Sequence, residues 1–176
     1  MATKEFNRVV NHVAVSVPDC DAAVKWYTEN LGFRLLQASS ASPESRTRKD
    51  APDAPIFKIY GDDLHEVKTA FLTTGNGVGF EIFEFLNPKY NGPSSTTSSS
   101  VPFSLTNLYT RGGFFHIAIT DPDPERLCAR VVAAGGKQIG VTTPLHEGQT
   151  ALYFRDPWGN VVEVVSCSFE QLLANR

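Results

Sequence analysis

His12-Val13-Ala14-Val15-Ser16-Val17-Pro18-Asp19 and His116-Ile117-Ala118-Ile119-Thr120-Asp121-Pro122-Asp123 write one pattern twice, 104 residues apart. His falls on His, Ala14 on Ala118, Pro18 on Pro122 and Asp19 on Asp123, and Gly32 falls on Gly136 at the same offset. Five matched pairs in one register, with the apolar pattern kept between them, mark an internal repeat. Each copy opens on a β-branched run that reads as a strand. A Pro-Asp turn follows, with Asp19 and Asp123 placed as helix N-caps and Pro124 suited to the first helical position. The first helix is expected to run to about Leu31, burying Ala23, Tyr27 and Leu31. The second is expected to bury Leu127, Val131 and Ala134. Gly32 and Gly136 stand where left-handed C-terminal caps are wanted.

Three strand-like runs follow each helix. In the first copy they are Arg34 to Gln37, then Ile56 to Tyr60 with Val67 to Thr73, then Val78 to Leu86. In the second they are Lys137 to Val141, Thr150 to Arg155 and Val161 to Ser166. The sequence thus predicts an α+β chain of two βαβββ modules. The first occupies residues 1–90, a Ser/Thr-rich linker 91–113, and the second module 114–176. His12 to Glu81 spans 69 residues and His116 to Glu163 spans 47, so the first copy carries 22 more. Most of these fall in Ala38 to Pro55, whose Ser, Pro and charged residues read as a loop. Phe103, Leu105, Leu108 and Tyr109 in the linker suit either a lid over a pocket or a patch on the outside of the core.

Composition narrows the function. Of the 176 residues 41% are apolar and 20% charged, enough to bury a core. A net charge of −3 with no basic stripe speaks against nucleic acid as a partner. No apolar run approaches the roughly 18 residues that a membrane span needs. Met1 to Asn11 holds no apolar signal region, and Cys20, Cys128 and Cys167 form neither a disulfide framework nor a CxxC site. The expectation is a cytoplasmic protein with reduced thiols.

In each copy a His lies in the first strand and a Glu in the last. The last strands read Gly79-Phe80-Glu81-Ile82-Phe83-Glu84-Phe85 and Asn160-Val161-Val162-Glu163-Val164-Val165. A charge inside such an apolar run is costly unless it is paired or metal-bound. Strand side chains alternate, so His12 shares a face with Ala14 and Ser16, and Glu81 with Phe83 and Phe85. If those faces are concave, His12, Glu81, His116 and Glu163 converge. Two imidazoles and two carboxylates suit Zn²⁺, Ni²⁺, Co²⁺, Mn²⁺ or Fe²⁺. Glu84, on the opposite face from Glu81, is the rival ligand, because a one-residue slip would exchange the two faces. His146 and His65 read as loop residues, and Gly75-Asn76-Gly77 as a hairpin turn. Arg155 is expected to pair with a carboxylate in the following turn. No phosphate-cradling motif is present, so no nucleotide cofactor is expected.

The His-bearing strand, the Asp-capped helix ending in Leu31-Gly32-Phe33, and the closing Phe154-Arg155-Asp156-Pro157-Trp158-Gly159-Asn160-Val161-Val162-Glu163 resemble the vicinal oxygen chelate superfamily. That group includes glyoxalase I, methylmalonyl-CoA epimerase, fosfomycin-resistance proteins and extradiol dioxygenases. The resemblance covers the chain outside the two insertions. It implies paired βαβββ modules forming a cup around one divalent metal, with His12, Glu81, His116 and Glu163 as ligands. The cup is completed within one chain or between two, so a homodimer is one of its forms. The resemblance to glyoxalase I implies a metal-ligating Glu as base, Glu163 first and Glu81 second. Glutathione-using members carry an Arg four residues after the first ligand His, where this chain has Ser16. They carry an Asn shortly after the second ligand, where this chain has Phe85. The implied function is a lyase or isomerase that abstracts a proton from a small, apolar or aromatic carbonyl or phenolic substrate without glutathione. The alternatives are an Fe(II) extradiol-type dioxygenase using His12, His116 and Glu163, and a non-catalytic protein that sequesters a ligand.

Overall fold

A computed structural model of the chain describes residues 8–36, 43–92 and 113–174. The chain is α+β and divides into two compact units, Met1–Asn91 and Gly92–Arg176. The first holds β1 (His12–Ser16), α1 (Cys20–Leu31), β2 (Arg34–Leu35), β3 (Glu44–Thr47), α2 (Pro55–Ile59), β4 (Glu66–Thr73) and β5 (Gly79–Asn87). The second holds β6 (Ile117–Thr120), α3 (Pro124–Ala133), β7 (Lys137–Pro144), β8 (Thr150–Arg155), β9 (Val161–Val165) and α4 (Phe169–Leu173). Strand order is β1-β5-β4-β2 in the first sheet and β6-β9-β8-β7 in the second. In both, the first strand pairs in parallel with the last, and the remaining ladders are antiparallel.

The helices follow from their caps. Asp19 accepts a hydrogen bond from Ala22 N at 3.0 Å, and Gly32 ends α1 at φ 71°. The buried face of α1 is Ala23, Trp26, Tyr27 and Asn30, so it is centred one residue earlier than the expected stripe through Leu31. Tyr27 stacks on Phe33 and both rings meet Phe80 of β5, which fixes the helix on the sheet. In α3, Asp123 accepts from Arg126 N at 3.0 Å, and Leu127, Cys128 and Val131 are buried. The second cap differs from expectation. Gly135, not Gly136, takes the left-handed conformation (φ 87°), while Ala134 serves as C-cap. Gly136 is there for space: a Cβ would come within 2.5 Å of Val131 Cγ1 and 2.6 Å of the Arg155 carbonyl oxygen.

The described part of the first unit's insertion, residues 43–55, holds regular structure where its composition suggests a loop. Glu44–Thr47 forms β3, which takes half of the β4 edge while β2 takes the other half. The run Ile56 to Tyr60, expected as a strand, lies instead mostly within α2, where Pro55 opens the helix. Phe57 of that helix is buried with Leu64 and Val67, and Ala54, Ile56, Phe83 and Phe85 pack around them. Tertiary burial has overridden the β-like composition. The remaining edges agree within a few residues, and β8 spans Thr150–Arg155 as expected. Most of the linker, with Phe103, Leu105, Leu108 and Tyr109, lies outside the described residues. Among the described residues no helix is long and apolar enough to cross a membrane, and Cys20, Cys128 and Cys167 are free and buried.

The turn from β8 to β9 is tied by one buried carboxylate. Asp156 is fully buried and accepts from Trp158 N (3.0 Å), Asn160 N (2.8 Å) and Asn160 Nδ2 (2.7 Å). Gly159 supplies the positive φ (95°) that the turn needs. This turn sets Arg155 opposite Val161 and therefore Tyr153 opposite Glu163. Replacing Asp156 with Ala leaves one buried and two part-buried donors without their acceptor and is expected to lower the unfolding free energy by roughly 2–4 kcal/mol. Urea unfolding checks this, and a loss below about 0.5 kcal/mol would contradict the role given to the turn.

Candidate metal centre

Parallel pairing builds each half of the candidate site. In the first unit Ala14 lies opposite Glu81, and His12 opposite Gly79. His12 and Glu81 are thus diagonal neighbours on one face of the sheet. Gly79 makes room, because a Cβ there would lie only 3.1 Å from His12 Cβ. His12 Nε2 stands 3.6 Å from Glu81 Oε2. In the second unit Ala118 lies opposite Glu163, and His116, just before β6, brings its Nε2 to 3.3 Å from Glu163 Oε2. Both carboxylates are about four-fifths buried, at 22% and 20% exposure.

Each distance is longer than a strong hydrogen bond. Two ligands about 2.1 Å from a common ion, at tetrahedral or octahedral angles, stand roughly 3.0–3.4 Å apart. The two pairs sit at or close to that spacing. The hydrogen bonding of His12 points the same way. Its Nδ1 meets Asn11 Oδ1 at 2.8 Å; in the tautomer with the proton on Nδ1, Nε2 would turn a lone pair toward the carboxylate. Two sets of lone pairs facing each other call for a cation or a proton between them. An outward Nδ1 held by a side-chain oxygen is also how metal-binding imidazoles are oriented. The donors therefore fit a divalent ion. His116 Nδ1 is buried without a hydrogen-bond partner among the described residues. The structure brings together His12 with Glu81 and His116 with Glu163. Among the described residues no larger group of metal-ligating side chains is found.

Glu84, the rival of Glu81, has other work. Its Oε2 accepts from Cys20 N at 2.9 Å, at the N-terminus of α1, where a carboxylate is favoured. Lys68, paired with Asp21, lies in the same group. Burial, with Glu84 adding to it, pushes the Cys20 thiol up to about 12. Glu84 thus faces the helix and Glu81 the opposite side of the sheet.

Other expected residues scatter. His146 pairs with Glu147 in the turn His146–Gly148, at 3.6 Å. His65 lines an open cleft of about 540 Å³ with Arg48, Lys49 and Glu66. Arg155 is buried, which lowers its pKa. Phe83 and Phe85 stack at 6.0 Å beside Glu81, packed on the α2 cluster yet not fully buried. The sequence pattern did not single out Tyr153. It lies directly across the ladder from Glu163, and its ring meets His116 edge-on at 5.5 Å. Burial first, then Glu163, pushes the phenol up to about 12. Counting back from the Asp156 turn would have found it, since a tight β8–β9 hairpin puts residue 153 opposite 163.

Comparison with known proteins adds the family. The sequence model of the Glyoxalase/Bleomycin resistance protein/Dioxygenase superfamily matches residues 9–164. A 2-epi-5-epi-valiolone epimerase from Actinomyces sp. is 28% identical over 163 residues, covering 89% of this chain and 78% of that protein. A probable lactoylglutathione lyase from Vibrio parahaemolyticus is 26% identical, covering 90% of this chain and 91% of that one. Among solved structures, a glyoxalase family protein from Bacillus cereus has a TM-score of 0.64 at 18% identity, covering 94% of this chain and 97% of that chain. At that identity the likeness speaks for the fold.

The two neighbouring carboxylates should separate in a stability experiment. Glu84→Ala removes a charge-assisted cap and is expected to cost about 1–2 kcal/mol. Glu81→Ala removes a carboxylate facing lone pairs and should stay within about 0.5 kcal/mol. Urea unfolding of the metal-free variants checks this, and the reverse order would place Glu81, not Glu84, at the helix.

Proposed function

We propose, on the premise that the chain belongs to the glyoxalase/bleomycin resistance protein/dioxygenase superfamily, that it is a metal-dependent lyase or isomerase. One observation carries the reading. Both repeats hold an imidazole Nε2 facing a carboxylate oxygen, at 3.6 Å and 3.3 Å. His12, Glu81, His116 and Glu163 would hold one divalent ion, supplied by one chain or by two copies of it. When bound, such an ion supplies a Lewis acid that polarises a substrate oxygen.

The chain's own residues do the rest. A carboxylate oxygen of Glu81 or Glu163 takes the proton from the carbon next to the carbonyl group whose oxygen the ion would polarise. Delivering that proton to a neighbouring atom completes an isomerisation. Loss of a group from the neighbouring atom completes a lyase reaction. The names of the relatives, an epimerase and a lyase, fall in these same two classes. Phe83 and Phe85, stacked beside Glu81, supply an apolar wall. That wall supports a small apolar or aromatic carbonyl or phenolic substrate. Ser16 and Phe85 offer no cation to the carboxylates of glutathione, which supports a substrate other than a glutathione adduct.

Solvent exchange tests this whatever the final product. Protein reloaded with Co²⁺, Ni²⁺ or Mn²⁺ is expected to catalyse deuterium uptake from D₂O at the carbon next to the carbonyl of small hydroxyketones, followed by NMR. Stripping the metal should slow the uptake by about 10²–10⁴-fold. Undiminished uptake in the stripped protein contradicts the reading, as does oxygen consumption with a catechol that rises with bound iron.

A further inference from the structure

The connection from β4 to β5 turns on Gly75-Asn76-Gly77, three exposed residues. Thr74 N donates to Val78 O at 3.2 Å and closes the turn, while Gly75 and Gly77 take positive φ, 93° and 88°. The Asn76 side chain is pinned at one end. Its Oδ1 accepts from the Thr74 hydroxyl at 2.6 Å and from Val78 N at 3.1 Å. Among the described residues its Nδ2 has no hydrogen-bond partner, and neither has the N–H of Gly77. Gly77 carries no side chain to screen that nitrogen.

We propose that Asn76 is a site of self-modification, at which the Gly77 nitrogen attacks the Asn76 side-chain amide and residue 76 becomes aspartate or isoaspartate. The step needs water and a base, and solvent supplies both. The Gly77 nitrogen loses its proton to hydroxide and forms a bond to Asn76 Cγ, whose C=O electron pair moves onto Oδ1. Two donors already aimed at Oδ1 stabilise that charge, as in an oxyanion hole. The pair then returns, the Cγ–Nδ2 bond breaks, and Nδ2 leaves as ammonia with a proton taken from water. A second water opens the five-membered ring. Opening at Cγ gives aspartate, and opening at the main-chain carbonyl gives isoaspartate. The net change is loss of ammonia, gain of water and a new carboxylate. Isoaspartate also lengthens the main chain at the tip of the hairpin. Two residues on, Gly79 donates to Asn11 O at 2.8 Å and lies against His12. The altered turn thus leads directly into the strand that carries Glu81.

Mass spectrometry of the folded chain, incubated at mildly alkaline pH in water enriched in heavy oxygen, tests this. Trypsin releases residues 69–89 as one peptide, whose side-chain amides are Asn76 and Asn87. Asn87 precedes Pro88, which has no N–H to attack with. Asn91-Gly92 lies in the next peptide, residues 90–111, and serves as a reference. The 69–89 peptide is expected to exchange its amide nitrogen for one heavy oxygen, to appear as both aspartate and isoaspartate, and to do so faster as the pH rises. Thr74→Val removes one donor to Oδ1 and should slow the change about 2–10-fold relative to the reference peptide. Thr74→Ser keeps the hydroxyl and should keep the wild-type rate. Circular dichroism confirms that each variant is folded. A 69–89 peptide that stays unmodified, whatever happens to the reference, overturns the inference. So does a Thr74→Val chain that reacts as fast as the wild type.

Discussion

β1 runs parallel to β5 with Ala14 opposite Glu81, and β6 runs parallel to β9 with Ala118 opposite Glu163. Those two registers decide what each sheet presents on the face of its His–Glu pair. Side chains alternate with a period of two, so a slip of one residue would remove Glu81 and bring Glu84 to the His12 side. Several features hold the first register. Glu84 is committed to the N-terminus of α1, and Tyr27, Phe33 and Phe80 interlock beneath the same sheet. Gly79 leaves the imidazole of His12 its space. In the second unit the buried Asp156 sets the β8–β9 hairpin, which in turn places Glu163.

The repeat was legible because its signals are local. Asp19, Gly32, Asp123 and Pro124 cap helices by contacts within a few residues, and the structure places their helices where those caps put them. The His and Glu of each copy were legible through strand alternation, which holds whatever the partner strand. Glu81 was separable from Glu84 only by parity, and the structure shows what parity could not: the residue that the second carboxylate serves.

What stayed hidden depends on distant contacts. Ile56 to Tyr60 has a strand-like composition, yet Pro55 and the burial of Phe57 against Leu64 and Val67 make most of it a helix. Gly136 reads as a cap from its position after α3, but its lack of a side chain answers the nearness of Val131 and Arg155, a contact that sequence spacing does not reveal. Tyr153 was hidden for a similar reason. Within Thr150 to Arg155 it is one aromatic among several apolar residues, and its meaning appears only when β8 is laid against β9.

The chain is thus a member of its superfamily in which each repeat sets a His beside a Glu. Each pair sets an imidazole Nε2 and a carboxylate oxygen at 3.6 Å or 3.3 Å, close to the spacing of two ligands on one ion. The central claim of the proposed function is that His12, Glu81, His116 and Glu163 hold a divalent ion. X-ray absorption at the cobalt edge of the Co²⁺-loaded protein tests it most directly. The predicted result is one tightly held ion per chain, with two imidazoles and carboxylate oxygens in its coordination shell, and loss of one imidazole from that shell in either His12→Ala or His116→Ala. A shell that keeps both imidazoles in either variant, or contains none in the wild-type chain, would contradict it.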